Sequence, residues 1–243
     1  ITGYVAGIYM RGIRFGFVPT TLLAMVDAAI GGKNGIDVGV YKNMVGLIRQ
    51  PEFLLYDVSL LKTLPKAEWQ NGFAEIIKHA AIKDAALFQE LETHRLSDYK
   101  KDPVLLAALI ERNAKIKLKV VAADPYEKGE RKLLNFGHTL GHAIENMYEL
   151  SHGQAISIGM TYAAVFSQQL KGFAETERLV KLLTRYGLPA FAAFDKRKAF
   201  KVLQKDKKKQ GQQIHYILLE KTGKGVVQPL PLTELEAIFK QIQ

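Results

Sequence analysis

The stretch Arg131-Lys132-Leu133-Leu134-Asn135-Phe136-Gly137-His138-Thr139-Leu140-Gly141-His142 places two histidines four residues apart. On a helix that spacing puts both imidazoles on one face, which suits a metal ion or a ligand with an acid beside it. His152 follows ten residues later, directly before Gly153, where a turn can bring it back to the same place. Three of the six histidines therefore fall within 15 residues, alongside Arg131 and Asn135. The competing reading is a set of helix histidines satisfied by backbone or carboxylates. A metal needs further ligands, and carboxylates are the remaining choice. Glu75 lies in Ala74-Glu75-Ile76-Ile77-Lys78, with Lys78 on the same helix face three residues on. As an exposed ion pair this would be worth about 0.3 kcal/mol, but its apolar neighbours argue for burial. A set of two histidines and a glutamate would hold Zn²⁺ with open positions, the pattern of a catalytic site.

A second candidate is Asp27-Ala28-Ala29-Ile30-Gly31-Gly32-Lys33, followed by Lys42-Asn43. Glycines allow close backbone approach to a ligand, and lysines supply charge for phosphate or carboxylate. The order Gly-Lys-Ser/Thr is absent, so this is no P-loop. No GxGxxG follows a strand, so there is no dinucleotide fingerprint.

These residues must be positioned by the elements around them. Residues 1–64 form a glycine-rich entry region. Phe15 to Pro19 reads as extended, Leu54 to Asp57 as a short buried strand, and Ile30 to Gly35 as a loop. Residues 65–243 read as a helical body. Phe73, Ile76, Ile77, Ala80, Leu87, Phe88 and Leu91 keep helical spacing on one face. Asp102-Pro103 is a helix start, and Gly187 and Pro189 stop a helix bearing Leu179, Leu182, Leu183 and Tyr186. Ile214, Tyr216 and Leu218 alternate like a strand before a turn at Thr222 to Gly225. Thr233 and Glu236 suggest a capping box for a last helix. The expected architecture is one mostly helical domain.

Composition narrows the function. With 48% hydrophobic and 24% charged residues over 243 positions, the chain has the make-up of a folded protein. It has no cysteine, which excludes disulfides, thiolate metal sites and thiol nucleophiles. No apolar run is long enough to span a bilayer, and the reading is cytoplasmic. The net charge of +10 comes from 34 basic and 24 acidic residues. Its densest clusters, Lys196 to Lys198 and Lys205 to Lys209, are not interleaved with aromatics as a base-stacking surface requires. A pocket for a phosphorylated or carboxylated small molecule explains the charge as well, so no nucleic-acid partner is assigned. The opposing class, a basic binding protein, would show salt-sensitive DNA or RNA binding.

Taken in order, several segments resemble the 3-dehydroquinate synthases, within the sugar phosphate cyclases. They are Tyr9 to Gly12, Val18 to Leu23, Val26-Asp27 with Gly31 to Lys33, Lys42-Asn43, Leu61 to Pro65, Ala74-Glu75 with Lys78, Asn135 to His142, and His152-Gly153. Asp206-Lys207-Lys208 extends the likeness. The resemblance implies a mainly α fold: a dehydroquinate synthase-like C-terminal helical domain with a glycine-rich entry region and a small β-hairpin. It also implies that the family's N-terminal nucleotide-binding domain is absent from this chain, which alone should be inactive.

The implied activity is a lyase of the shikimate pathway that uses Zn²⁺ (or Co²⁺) and NAD. It converts 3-deoxy-D-arabino-heptulosonate 7-phosphate to 3-dehydroquinate and phosphate. The alternative is a cyclase of the 2-deoxy-scyllo-inosose or valiolone type. Carried over, Glu75, His138 and His152 are the metal ligands. Lys78, Arg131, Asn135 and His142 are catalytic. Arg11, Lys33, Asn43, Lys117, Lys207 and Lys208 bind substrate, and Asp27 and Lys42 face the cofactor. The family implies a homodimer for the full-length form and no membrane partner.

Overall fold

The computed structural model describes residues 1–38, 41–203, 209–210 and 213–241. Among them the entry region holds α1 (Thr2–Ile8) and the antiparallel hairpin β1 (Lys33–Val38) and β2 (Tyr41–Ile48). The body runs α2 (Lys66–Lys83), α3 (Ala85–Thr93), α4 (Leu96–Lys101), α5 (Pro103–Ala123), α6 (His138–Tyr148), α7 (His152–Lys171), α8 (Thr176–Arg185) and α9 (Lys196–Leu203). A small antiparallel sheet in the order β3 (Lys209–Gln210), β4 (Gln213–Lys221), β5 (Lys224–Pro231) and the helix α10 (Leu232–Gln241) complete it.

The centre of the body is α2. It is buried almost all round, from Trp69 and Phe73 through Ile76, Ile77 and Ala80 to Ile82, so its apolar pattern is not a one-sided stripe. It packs against α7, β5, α5 and the π-helical turn Ala24–Ala28. Phe73 stacks on Tyr186 with ring centroids 4.5 Å apart, which joins α2 to the end of α8. The apolar run expected as one helix divides at Asp84. This residue ends α2, and its carboxylate accepts from the Leu87 amide at 2.9 Å to cap α3. Asp102 caps α5 in the same way, accepting from Val104 and Leu105, with Pro103 at the first helical position. Gly187, at φ 74°, follows α8.

Three local expectations change. Leu54 makes a single parallel bridge to Phe17 rather than entering a buried strand, and Leu55 is exposed. Lys33 to Gly35 are not loop but the start of β1, which pairs with β2 as far as Ile48. The last helix starts at Leu232, directly after β5, so Thr233 lies inside its first turn and is not the N-cap. Gly223, at φ 82°, makes the expected turn between β4 and β5.

Candidate metal centre and adjoining polar site

Two helices deliver the three clustered ligand candidates besides α2. Gly137, at φ 78°, turns the chain from the 3₁₀ segment Glu130–Asn135 into α6, so that His138 is the first residue of that helix. Ser151 begins α7 through a capping box with Gln154, which makes His152 the first residue of that one. The two helices cross very closely. A Cβ added at Gly159 would lie 1.9 Å from the Gly137 carbonyl oxygen. This contact brings the two helix starts together above Glu75 of α2.

At their meeting point, His152 Nε2 lies 3.0 Å and His138 Nε2 3.6 Å from Glu75 Oε1. One ligand atom from each residue lies within 4.8 Å of the others. His138 Nδ1 faces the Phe136 carbonyl at 3.2 Å, which leaves Nε2 as its lone pair toward the cluster. His152 Nδ1 faces Glu145 Oε1 at 3.9 Å. The two rings stand edge-on, with centroids 5.6 Å apart, and His142 stands edge-on to His138 at 5.0 Å.

Glu75 is fully buried, and Lys78, almost as deeply buried, pairs with its second oxygen. Burial by itself would raise the Glu75 pKa. The Lys78 ammonium and the two imidazoles outweigh burial and the opposing charge of Asp27, and hold the carboxyl well below the usual carboxylate range. For His152, burial would favour the neutral ring, but the Glu145 and Glu75 carboxylates push its pKa up to about 9.

A second polar group abuts the first. Asp27, on the π-helical turn, accepts from Lys117 Nζ of α5 at 2.6 Å. His79 Nε2 lies 3.7 Å from the same carboxylate oxygen. Asn113 donates its amide to the Leu109 carbonyl at 3.1 Å, so its oxygen is the acceptor that His79 Nδ1 meets at 3.2 Å. His79 Nε2 is buried, facing Asp27 beyond hydrogen-bond distance. Burial lowers the His79 pKa and favours the neutral ring. Asp27, Glu75 and His79 form a second group spaced for a cation, but here the ammoniums of Lys117 and Lys78 already supply the positive charge. For Asp27, burial opposes ionisation, yet Lys117 and Lys78 hold its pKa well below the usual value.

Arg131 is buried, and its guanidinium donates to two backbone carbonyls, Gly31 at 2.9 Å and Pro125 at 2.6 Å. The Asp124 carboxylate accepts from the Arg131 backbone amide at 3.1 Å and lies close enough to feel its charge, while the guanidinium itself is held by the two carbonyls. Lys33, more exposed, pairs with Glu127, whose other oxygen accepts from the Asn135 amide.

Glu75, Lys78, His138, His142 and His152 therefore come together, with Asp27 and Lys117 adjoining them. Lys33 and Asn135 meet through Glu127. Arg11 is exposed at the end of the 3₁₀ turn Tyr9–Arg11 and makes no hydrogen bond or ion pair to the cluster among the described residues. Lys207 and Lys208 lie outside the described residues, as do the side chains of Lys42 and Asn43, whose backbone runs in β2. Four participants were not picked out from the sequence: Glu127, His79, Asn113 and Glu145. Glu145 had a readable signal, since it is seven residues after His138 on the same helix face. His79 had one too, four residues after Glu75 on α2, whereas the contacts of Glu127 with Lys33 and of Asn113 with His79 join residues far apart along the chain.

The 3-dehydroquinate synthase C-terminal family model matches residues 72–209, and the 3-dehydroquinate synthase N-terminal model matches residues 1–71. The chain belongs to the 3-dehydroquinate synthase family. It is 39% identical over 229 residues to the 3-dehydroquinate synthase of Leptospira interrogans, covering 92% of this chain and 63% of that protein. It is 41% identical over 233 residues to that of Dehalococcoides mccartyi, covering 93% and 65%. The chain thus spans a little under two thirds of the length of these curated relatives.

Among solved structures, a 2-epi-5-epi-valiolone synthase from Streptomyces hygroscopicus with NAD⁺ and Zn²⁺ bound superposes with a TM-score of 0.89 at 29% identity, covering 98% of this chain and 69% of that one. A 2-deoxy-scyllo-inosose synthase complexed with carbaglucose-6-phosphate, NAD⁺ and Co²⁺ superposes with a TM-score of 0.84 at 27% identity, covering 99% and 70%. This family membership and these superpositions agree with the mainly α, dehydroquinate synthase-like fold.

Proposed function

We propose that this chain carries the metal- and substrate-binding wall of a 3-dehydroquinate synthase. The reaction would convert 3-deoxy-D-arabino-heptulosonate 7-phosphate to 3-dehydroquinate and phosphate, with zinc and catalytic NAD. The observation that carries the reading is the convergence of Glu75, His138 and His152 on one point beside Lys78. One carboxylate and two imidazole nitrogens suit Zn²⁺ or Co²⁺, and three protein ligands leave a position for substrate. When bound, such an ion would act as a Lewis acid toward a substrate hydroxyl.

The remaining work falls to the chain's own residues. Arg131, its guanidinium held by two backbone carbonyls, offers a rigid fork to an anionic group of the substrate. Lys78 and Lys117 lie beside carboxylates, where an ammonium can donate to substrate oxygens. His142, edge-on to His138, is the candidate proton relay. Asp27, with about a fifth of its side chain exposed, is the described residue assigned to the nicotinamide side. The NAD reading is supported by the NAD⁺ bound in the two solved cyclases. We place the protein in the cytoplasm, as a homodimer in its full-length form, without nucleic-acid or membrane partners.

The activity test is phosphate release by the full-length protein from the heptulosonate phosphate, compared with the substrates of the inosose and valiolone synthases. Release from the first substrate is expected. Turnover of one of the others alone would favour the second reading, which the solved neighbours support. The metal test is zinc content: His152→Ala should lose most of the bound zinc, and unchanged stoichiometry would contradict the ligand set.

A further inference from the structure

The first amides of an α-helix have no partners within the helix. At the start of α7, Ser151 Oγ accepts from the Gln154 amide at 3.4 Å, and the Gln154 side chain accepts from the Ser151 amide at 3.0 Å. The amide of Gly153 is satisfied differently. It donates to Asn71 Oδ1 at 2.8 Å, a side chain 82 residues earlier on α2. Asn71 is buried, and its Nδ2 donates to Glu68 Oε2 at 3.2 Å, which makes Oδ1 the end that faces Gly153. The backbones also touch here. A Cβ added at Gly153 would lie 2.7 Å from Asn71 Cα and 3.1 Å from its nitrogen.

The position of this bond matters. Asn71 precedes Glu75 by one helical turn, and Gly153 follows His152 directly. A single buried hydrogen bond therefore ties the backbone beside one ligand candidate to the helix carrying another. His152 itself is more than a quarter exposed, so packing covers its ring only in part.

We propose that Asn71 is a positioning residue for the metal ligands: by holding the start of α7 on α2, it presets the separation of His152 Nε2 and Glu75 that a divalent cation requires. This rests on the reading of Glu75, His138 and His152 as the ligand set. Residues that orient ligands from outside the coordination sphere typically affect metal affinity by about 10- to 100-fold. A preset pair binds more tightly because less ordering remains to be done on binding.

The test uses the 243-residue chain, stripped with a chelator and titrated with Zn²⁺ against a chromophoric competitor. Co²⁺ loading, read by its visible absorption, reports the ligand geometry. Asn71→Ala should weaken Zn²⁺ by about 10- to 100-fold and alter the cobalt bands while circular dichroism stays native. The double variant N71D/E68Q keeps an acceptor for Gly153 and reverses the polarity of the second bond, so it should return affinity to near the unsubstituted level. If Asn71→Ala does not fold, Asn71→Ser, whose hydroxyl is too short to reach the Gly153 amide, should show the same loss. Zinc affinity within about twofold of the unsubstituted chain in the folded alanine or serine variant, with an unchanged cobalt spectrum, would overturn the proposal. Failure of the unsubstituted chain to bind zinc at all would instead overturn the ligand reading, and the proposal with it.

Discussion

Glu75 and Lys78 are both withdrawn from water and bonded to one another one helical turn apart. Desolvating two charges is costly, and their attraction offsets that cost only while both are present. Removing one leaves the other stranded. Lys78→Met should therefore destabilise the metal-free protein by about 3–5 kcal/mol, as measured by urea unfolding in chelator. The bare Glu75 carboxylate would then face Asp27 with only the imidazoles for support. Added zinc should raise the stability of this variant more than that of the unsubstituted chain, because the ion supplies the missing positive charge. Equal unfolding midpoints for the two proteins in chelator would show that Lys78 is not the counter-charge that permits Glu75 to be buried.

Among the elements, the crossing of α6 and α7 sets the distance between two of the three ligand candidates, His138 and His152. It depends on Gly159, which has no room for a Cβ against the Gly137 carbonyl. Gly159→Ala should push the helices apart, costing at least about 1–3 kcal/mol by the usual cost of overpacking, and should weaken zinc binding as His138 and His152 separate. Unchanged melting temperature and zinc affinity would show that the crossing has slack.

The junction of α2 and α3 allows a pH test. Asp84 caps α3 and accepts from Arg112 Nε and Nη2, both at 2.8 Å. Partial burial would raise its pKa, but the Arg112 bonds and the capping amides outweigh this and lower it. A depressed folded-state pKa stabilises the fold above the unfolded value, near about 3.9. That contribution is lost as pH falls through the folded value. Asp84→Asn keeps the cap and loses the charge. The unsubstituted protein should exceed this variant by about 0.5–1 kcal/mol at pH 5–8, since the pair is partly exposed. The difference should shrink below about pH 4. A difference that does not change with pH would exclude the ion pair as its source.

Across the whole molecule, burial is uneven. The continuous apolar core begins at Leu22 and runs through the helical body to Phe239. Ahead of it, Val5, Ile8, Tyr9, Met10, Ile13 and Val18 are exposed. Elements with few buried contacts open at lower free energy than the core. Hydrogen exchange should therefore be fast over α1 and the β1–β2 hairpin and slowest over α2 and α7. Equal protection throughout would mean that the chain opens as one unit. Among the described residues no helix is long and apolar enough to cross a membrane, although α2 and α7 are largely buried. Their burial comes from neighbouring elements, and α2 carries Glu75, Lys78 and His79 within the protein.

Local rules sufficed wherever cause and effect lie within one turn of chain. The Asp102-Pro103 start of α5, the stop at Gly187 and the Gly223 turn were all readable, because a cap or a left-handed residue acts on its immediate neighbours. The types of the site residues were readable too, since imidazole, carboxylate and ammonium groups carry their chemistry with them. Which of them meet was a different matter. The four-residue spacing alone put His138 and His142 on one face; the family resemblance pointed to His152 instead, and it is His152 Nε2, from the next helix, that joins His138 Nε2 at Glu75. That choice is made by the Gly137–Gly159 crossing and by Asn71 gripping Gly153. Lys33 meets Asn135 only through Glu127, and His79 meets Asp27 only because α5 and α2 pack beside the π-helical turn. Contacts between residues tens of positions apart are set by close packing of whole elements, which no local spacing encodes.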